Sequence, residues 1–453
     1  MAQRIVILGG GESGAGAAVL AVKKGYEVFV SDKGAIAEKY KKVLSQFDIR
    51  FEEGKHTEEL IFTADEIIKS PGIPDQMSIV AKATGLGIPV ISEIEFSGRF
   101  TKAKKICITG SNGKTTTTML TWHILKNAGL DVGLGGNVGT SMAMLLADRD
   151  YDYLVLEISS FQLDGMFDFK ADIAVLTNIT PDHLDRYQGS FDNYARSKFR
   201  IISNQTEKDA FIYCLDDPEI TSRLEIFNPK AMCYPFSIQT KDISQGAFLE
   251  ADPIDFEKSK MNIIIKSDTM NMTLQELALT GKHNVYNSMA AAIGARVLDL
   301  RKESIRQSLS DFQGVEHRLE FVATIRGIDF INDSKATNIN STWWALENAS
   351  KPVIWIAGGQ DKGNDYGVLA DMIAEKVKAI ICIGVNNEKI IRALAKLTGV
   401  CIEVTSMEEA VQMAYKLGTK GDTVLLSPAC ASFDRFKNYE DRGNQFKKSV
   451  INL

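Results

Sequence analysis

Eight residues, Thr109-Gly110-Ser111-Asn112-Gly113-Lys114-Thr115-Thr116, constrain this chain more than any other stretch, because an apolar strand over 105–108 enters them and a helix containing TTTMLTWHILKNAG leaves them. Strand, glycine-bearing turn and helix N-terminus in that order build a phosphate cradle. The glycines let backbone N–H groups turn inward, Lys114 brings a mobile cation, and the Thr115 hydroxyl can reach a magnesium ion. Gly110 precedes Gly113 by three residues, where about five is usual, so a shortened loop is expected. A Gly-Lys-Thr triplet alone would be an ordinary turn. The flanking strand and helix make Gly110, Ser111, Asn112, Gly113, Lys114, Thr115 and Thr116 the expected ATP contacts.

A chain of 453 residues exceeds one hydrophobic core and implies about three domains. A net charge of −6 and a pI near 5.6 argue against a nucleic-acid surface. Cys107, Cys214, Cys233, Cys382, Cys401 and Cys430 are scattered and form no CxxC pair, which predicts reduced, mostly buried thiols and no zinc site. The apolar run in MAQRIVILGGG is too short for a signal-peptide core, and no stretch is long enough to span a membrane. A cytoplasmic protein without membrane contact is expected.

Residues 4–8, RIVIL, form a strand that runs into Gly9-Gly10-Gly11-Glu12-Ser13-Gly14 and a small-residue helix, a G-x-G-x-x-G pattern. The next strand ends at Asp32, where such folds place an acidic ribose ligand. A dinucleotide-type domain follows, whose ligand stays open between a dinucleotide and a nucleotide-sugar, since the turn accepts any ribose diphosphate. The turn Ser70-Pro71-Gly72-Ile73-Pro74 is expected to line the same crevice, and the domain to end near residues 96–100.

After the phosphate loop, the helix stops at Asn127-Ala128-Gly129, and Gly135-Gly136-Asn137-Val138-Gly139 reads as a tight loop. The strand YDYLVLE places Glu157 at its carboxyl end, ahead of Ser159. A second strand empties into a polar loop with Asn178, Asp182, His183 and Asp185. Both share the ligand-binding edge with Lys114, so Glu157 is a candidate metal ligand and His183 a ligand or substrate contact. Lys198, on the following helix, reads in isolation as a solvated lysine. Residues 205–275 are strand-rich with little chemistry. Asn284 and Asn287, beside His283, either cap a helix or bind an adenine edge.

A linker at 310–315 leads to Glu316-His317-Arg318. Three strand-to-loop junctions follow, at Asp333-Ser334-Lys335-Ala336-Thr337-Asn338, Gln360-Asp361-Lys362-Gly363 and Pro428 to Asp434. Alternating strands and helices predict a parallel sheet with these loops on one edge. Lysines and hydroxyls meeting there suit an anion bearing carboxylates, at a site distinct from the phosphate loop.

Taken together, TGSNGKTT, GGNVG, LEISSFQ, TNITPDHLDRY, the lysine helix, GKHNVYN and EHR resemble the Mur ligases, ATP-dependent amide-forming enzymes of peptidoglycan synthesis, in the family's order over nearly the whole chain. NDSKATN, GGQDKG and SPACASFDRFKNYEDRG look most like the member that adds D-glutamate. The resemblance implies an α/β fold of three domains: a Rossmann-like domain over 1–97, a central P-loop-type ATP-binding domain over 98–314, and a Rossmann-like domain over 315–453. It implies that Ser13, Asp32, Lys33 and Gly72 bind the UDP end of UDP-N-acetylmuramoyl-L-alanine, with Asn137, Ser159 and His183 further along this substrate. Lys114, Lys198, His183 and Glu157 would be catalytic. Thr115, Glu157, His183 and a carbamylated Lys198 would hold two magnesium ions. Asn284, Asn287, His317, Arg318, Asp333 and Lys335 would contact ATP, and Thr337, Lys362, Ser432, Phe433 and Tyr439 would take D-glutamate. A monomer whose domains close on its ligands is expected. Competing readings are a sister or folate-type ligase with another amine, a nicotinamide oxidoreductase resting on Gly9–Gly14 and Asp32, and a nucleotide-binding regulator without turnover.

Overall fold

The computed structural model describes residues 2–312, 314–349, 352–361 and 363–453, so Lys362 lies outside the described residues. The chain divides into two compact units, Met1–Phe312 and Gln313–Leu453. The first unit carries two sheets and the second carries one.

The first sheet holds β1 (Arg4–Leu8), β2 (Glu27–Ser31), β3 (Arg50–Glu52), β4 (Glu66–Lys69) and β5 (Val90–Ser92) in the order β3-β2-β1-β4-β5, all parallel. Continuous apolar runs such as Ile5–Leu8 are buried because helices cover both faces of a parallel sheet. The chain reverses its direction of travel between β1 and β4, so the ligand crevice opens at the carboxyl end of β1. Gly14 is fixed by close packing, since a Cβ there would lie 1.8 Å from the Gly9 carbonyl oxygen. The helix Glu12–Lys23 is lined with Gly14, Ala15, Gly16, Ala17 and Ala18. Its small residues let it press on the helix Met142–Asp148, with a Cβ at Gly16 falling 2.2 Å from Ser141 Oγ.

The second sheet holds β6 (Lys104–Thr109), β7 (Val132–Gly136), β8 (Tyr153–Glu157), β9 (Ile173–Leu176), β10 (Ala210–Cys214), β11 (Met232–Ser237), β12 (Gly246–Glu250), β13 (Lys260–Ile265) and β14 (Asp268–Thr273). Its order is β14-β13-β12-β11-β10-β9-β6-β8-β7. β6 lies between β8 and β9, parallel to both, with Ile108 opposite Glu157 and Thr109 opposite Leu176. The phosphate loop, Glu157 and the His183 loop therefore leave adjacent strands at one edge. Gly135 and Gly136 belong to β7 and not to a loop. Added Cβ atoms would meet Thr140 O at 2.5 Å and Glu157 O at 2.2 Å, so glycine here serves close strand packing, and the loop proper begins at Asn137.

The second unit holds β15 (Glu320–Ile325), β16 (Ile328–Asn332), β17 (Val353–Ala357), β18 (Val377–Ile383), β19 (Val400–Val404) and β20 (Thr423–Leu426), in the order β15-β16-β20-β17-β18-β19. The expected parallel sheet is interrupted once. β15 runs antiparallel to β16 because Arg326 and Gly327, both at positive φ, form a two-residue hairpin turn. β16, β20 and β17 are parallel neighbours, so the loops beginning at Asp333, Gly358 and Ser427 share one edge. Cys107, Cys214, Cys382 and Cys430 are buried, Cys401 is half-buried and Cys233 is exposed, all as free thiols. Among the described residues no helix is long and apolar enough to cross a membrane.

Candidate active site

The loop after β6 is held from both sides. Gly110 has φ +146°, and a Cβ on it would stand 2.0 Å from Thr177 Oγ1. Gly113, at φ +82°, starts the helix Lys114–Asn127 and leaves a Cβ no room against Asn287 Oδ1 at 2.5 Å. Asn178 clamps Asn112 by accepting from its N–H (2.8 Å) and donating to its carbonyl (3.0 Å), and Thr177 Oγ1 donates to the same carbonyl at 2.6 Å. Ser111 Oγ donates to Thr180 O and accepts from Thr180 N, each at 2.9 Å, so the Tyr194 hydroxyl 2.9 Å away donates to it. These bonds fix the backbone in a conformation that only glycine adopts freely at two positions, the preorganisation a phosphate cradle requires.

Two lysines converge on this loop. Lys114 Nζ donates to Gly110 O at 2.8 Å and Ser111 O at 2.7 Å. Lys198 Nζ donates to the same Gly110 O at 2.8 Å. Lys198 is not the solvated lysine its helix suggests, being only 2% exposed. Burial first, and the Lys114 charge second, hold its amine well below the ordinary lysine range. Such an amine is neutral for a larger share of the time and thus nucleophilic.

Glu157 is buried at the end of β8, with Oε1 accepting from Asn137 Nδ2 at 2.7 Å. His183 has φ +52° and is exposed, its ring centre 5.1 Å from that of Phe161 in an edge-to-face contact and Nε2 3.6 Å from Asp182. Ser159 caps the helix Ser160–Asp164 in a reciprocal pair with Gln162. Asn287 accepts from Thr117 Oγ1 (3.1 Å) and donates to Asn284 Oδ1 (3.1 Å), and Asn284 donates to Thr280 O at 2.9 Å. The two asparagines thus tie the helix Lys282–Val297 to the phosphate-loop helix.

At the first sheet, Ser13 is half-buried on its helix, while Lys33 and Gly72 are exposed. Asp32 accepts from Gly10 N at 2.7 Å and Gly34 N at 2.8 Å, so its carboxylate organises the two loops flanking the crevice. Arg186 went unnoticed in the sequence. It donates to Pro71 O and Gly72 O, both at 3.1 Å, and its guanidinium lies 4.3 Å from the Phe161 ring centre. The turn after β4 is thereby joined to the turn that carries His183. Thr177 and Tyr194 were also missed, although Tyr194 precedes Lys198 by four residues and so shares its helix face.

In the second unit, His317 is buried at φ +65°, with Nδ1 2.9 Å from Asn332 Nδ2. Burial, then the Lys447 charge, lowers its pKa. Burial pushes the Asp333 carboxyl up to about 7, although Arg318 lies near and Ser427 donates to it at 2.8 Å. Lys335 lies 5.3 Å from the Tyr439 ring centre. Ser432 is buried, Phe433 is exposed and Thr337 is half-buried. Arg442, fully buried, donates to Ser334 O at 2.8 Å and Cys430 O at 3.1 Å, locking the loops after β16 and β20 together. It too was missed, being one arginine within a charged helix.

Three family profiles match the chain: MurD N-terminal domain over residues 4–79, Mur ligase middle domain over 108–295, and Mur ligase, glutamate ligase domain over 317–430. A UDP-N-acetylmuramoylalanine--D-glutamate ligase of Bacteroides fragilis is 55% identical over 452 residues, covering 100% of both chains. The chain belongs to the Mur ligase family. Proteins of the same name from Christiangramia forsetii and Salinibacter ruber are 54% and 40% identical, over at least 98% of each chain. The MurC ligase structure from Thermotoga maritima superposes with a TM-score of 0.64 at 19% identity, covering 99% of both chains. A pseudomurein peptide ligase from Methanothermus fervidus reaches 0.62 at 22%, covering 99% and 100%. These two establish the shared fold.

Mur ligases as a family use ATP and magnesium. In this Mur ligase no group of three or more His, Cys, Asp or Glu side chains among the described residues is arranged to hold a metal ion by itself. Magnesium takes one or two carboxylates and completes its shell with phosphate and water oxygens. The glycine cradle at Gly110 and Gly113, which a Cβ would fill, fits the phosphates.

Proposed function

We propose that this chain joins D-glutamate to the L-alanyl carboxylate of UDP-N-acetylmuramoyl-L-alanine at the cost of ATP, releasing ADP and phosphate, in the cytoplasmic assembly of peptidoglycan precursors. The observation that carries the ATP-dependent chemistry is the convergence of Lys114 and buried Lys198 on the Gly110 carbonyl. The choice of D-glutamate is supported by full-length relatives bearing that name.

Residues 1–97 take the uridine end through Ser13, Asp32, Lys33 and Gly72, with Asn137, Ser159 and His183 along the sugar and peptide. The phosphate loop holds ATP, and Lys114 neutralises charge on the transferred oxygens. The alanyl carboxylate attacks the γ-phosphorus and ADP leaves, forming an acyl phosphate. The D-glutamate amine then attacks the acyl carbon, losing a proton and expelling phosphate. Thr115, Glu157, His183 and Lys198 are the residues that would hold two magnesium ions, which supply charge neutralisation at the phosphates. The depressed pKa of Lys198 supports addition of its neutral amine to carbon dioxide, which releases a proton and leaves a carbamate oxygen donor. Asn284, Asn287, His317, Arg318, Asp333 and Lys335 are assigned to the nucleotide. Thr337, Lys362, Ser432, Phe433 and Tyr439 are assigned to D-glutamate, whose two carboxylates need N–H and cationic partners. The protein acts as a monomer.

Phosphate release from ATP, magnesium and UDP-N-acetylmuramoyl-L-alanine tests this reading. Release is expected with D-glutamate and not with L-glutamate or no amine. Release only with another amine would reassign the acceptor, and none with any amine would overturn the reaction.

A further inference from the structure

Beside the first crevice, the carboxyl ends of β2 and β3 carry three side chains to which the chemistry above gives no part. Ser31, fully buried as the last residue of β2, holds its hydroxyl 2.7 Å from Glu52 Oε1 and 2.7 Å from His56 Nδ1. Burial pushes the Glu52 carboxyl up, but the N–H and hydroxyl of Thr57 and the hydroxyl of Ser31 outweigh it and leave the pKa lowered. Glu52 is therefore an ionised acceptor at neutral pH. An ionised carboxylate donates nothing, so the one hydroxyl hydrogen of Ser31 goes to Glu52. The contact with His56 must then run the other way, with Nδ1–H donating to Ser31 Oγ.

That bond fixes the tautomer. Burial, which outweighs the nearby Glu52 and Asp32 charges, lowers the His56 pKa, so at neutral pH the ring is uncharged and Nε2 carries its lone pair. His56 makes no other hydrogen bond to a described residue. A buried serine and a carboxylate thus serve to present one oriented acceptor from a half-exposed ring.

The ring's place in the sheet identifies what it meets. With the strand order β3-β2-β1-β4-β5, a bound nucleotide sets its diphosphate at the turn after β1 and its ribose by the end of β2. The base then extends toward the end of β3, where His56 stands. Asp32, the acidic residue such folds turn toward the ribose, is held at the end of β2 by the N–H groups of Gly10 and Gly34.

We propose that His56 is a specificity-determining residue, its Nε2 accepting the N3–H of the substrate's uracil. The inference rests on the reading that residues 1–97 take the uridine end. Uracil carries a hydrogen at N3, whereas cytosine presents a bare lone pair there, so an oriented acceptor attracts the first and repels the second.

The test is calorimetric titration of UDP, CDP and N3-methyl-UDP into the full-length protein and into His56→Ala. Wild type is expected to bind UDP about ten-fold or more tighter than the other two, and His56→Ala to narrow both ratios to within about two-fold, chiefly by weakening UDP. His56→Phe keeps the ring's bulk without the acceptor and is expected to behave the same way should the alanine variant fold poorly. UDP binding by wild type with unchanged ratios in a folded variant would overturn the role of His56. Absence of UDP binding by wild type would overturn the uridine reading and this proposal with it.

Discussion

Gly110→Ala is the perturbation whose cost can be worked most directly from the structure. The new Cβ would lie 2.0 Å from Thr177 Oγ1 and 3.2 Å from Asn178 N and O, on a residue at φ +146°. Backbone strain for a non-glycine residue there costs about 1–3 kcal/mol. Thr177 can escape the overlap only by rotating, which breaks the hydrogen bond its one hydroxyl hydrogen makes to Asn112 O (2.6 Å) at about 1 kcal/mol. The sum is about 2–4 kcal/mol, expected to lower the melting temperature by about 5 °C or more, and a loop displaced by ~1 Å loses about 100-fold in turnover. Thr177→Ala removes the obstructing hydroxyl but not the strain. The double variant Gly110→Ala/Thr177→Ala should therefore be less destabilised than the sum of the singles by about 1–2 kcal/mol, measured by urea unfolding beside ATP-dependent phosphate release. Strictly additive singles, or a Gly110→Ala protein of wild-type stability and activity, would refute the packing argument.

Arg186→Ala removes two hydrogen bonds to the Pro71–Gly72 turn and the stack on Phe161; steady-state kinetics should show KM for the UDP substrate raised about ten-fold with KM for ATP little changed, and an equal rise in both would contradict the linkage. Carbon-13 bicarbonate should yield a carbamate signal in NMR of wild type that is missing from Lys198→Arg; a signal surviving the substitution would place the modification elsewhere. Glu93 is 1% exposed beside Ala143 N–H, and burial raises its pKa to about 7. Because the folded value exceeds the unfolded one of about 4.3, its contribution to stability is full below that value and fades as pH rises through 7, a change of about 4 kcal/mol. Urea midpoints at pH 5 and pH 8 should accordingly differ less in Glu93→Gln than in wild type, and equal differences would refute it.

The phosphate loop, its flanking strand and helix, and the carboxyl-edge placement of Glu157 and His183 were legible in the sequence because each is written locally, as an apolar run followed by glycine and a polar loop. What escaped was whatever depends on the far side of a contact. Lys198 reads as solvated because its surroundings are 109–110, on a strand and loop nearly ninety residues away. Arg186 and Arg442 act by donating to backbone carbonyls of distant loops, which no side-chain pattern announces. The glycines of β7 read as a loop because glycine marks both turns and tight strand packing. Asn284 and Asn287 were left between a cap and a ligand, and in the structure they bind each other and Thr117.

Formation of an amide with D-glutamate, and with no other amine, sets the function of this chain. The most direct measurement supplies D- and L-glutamate together in equal amounts, each with a different isotopic mass, with ATP, magnesium and UDP-N-acetylmuramoyl-L-alanine, and weighs the uridine-linked product by mass spectrometry. The expected product carries the D-glutamate mass alone and forms with one ADP per amide; a product carrying the L-label, or ADP formed without any amide, would contradict D-glutamate ligation.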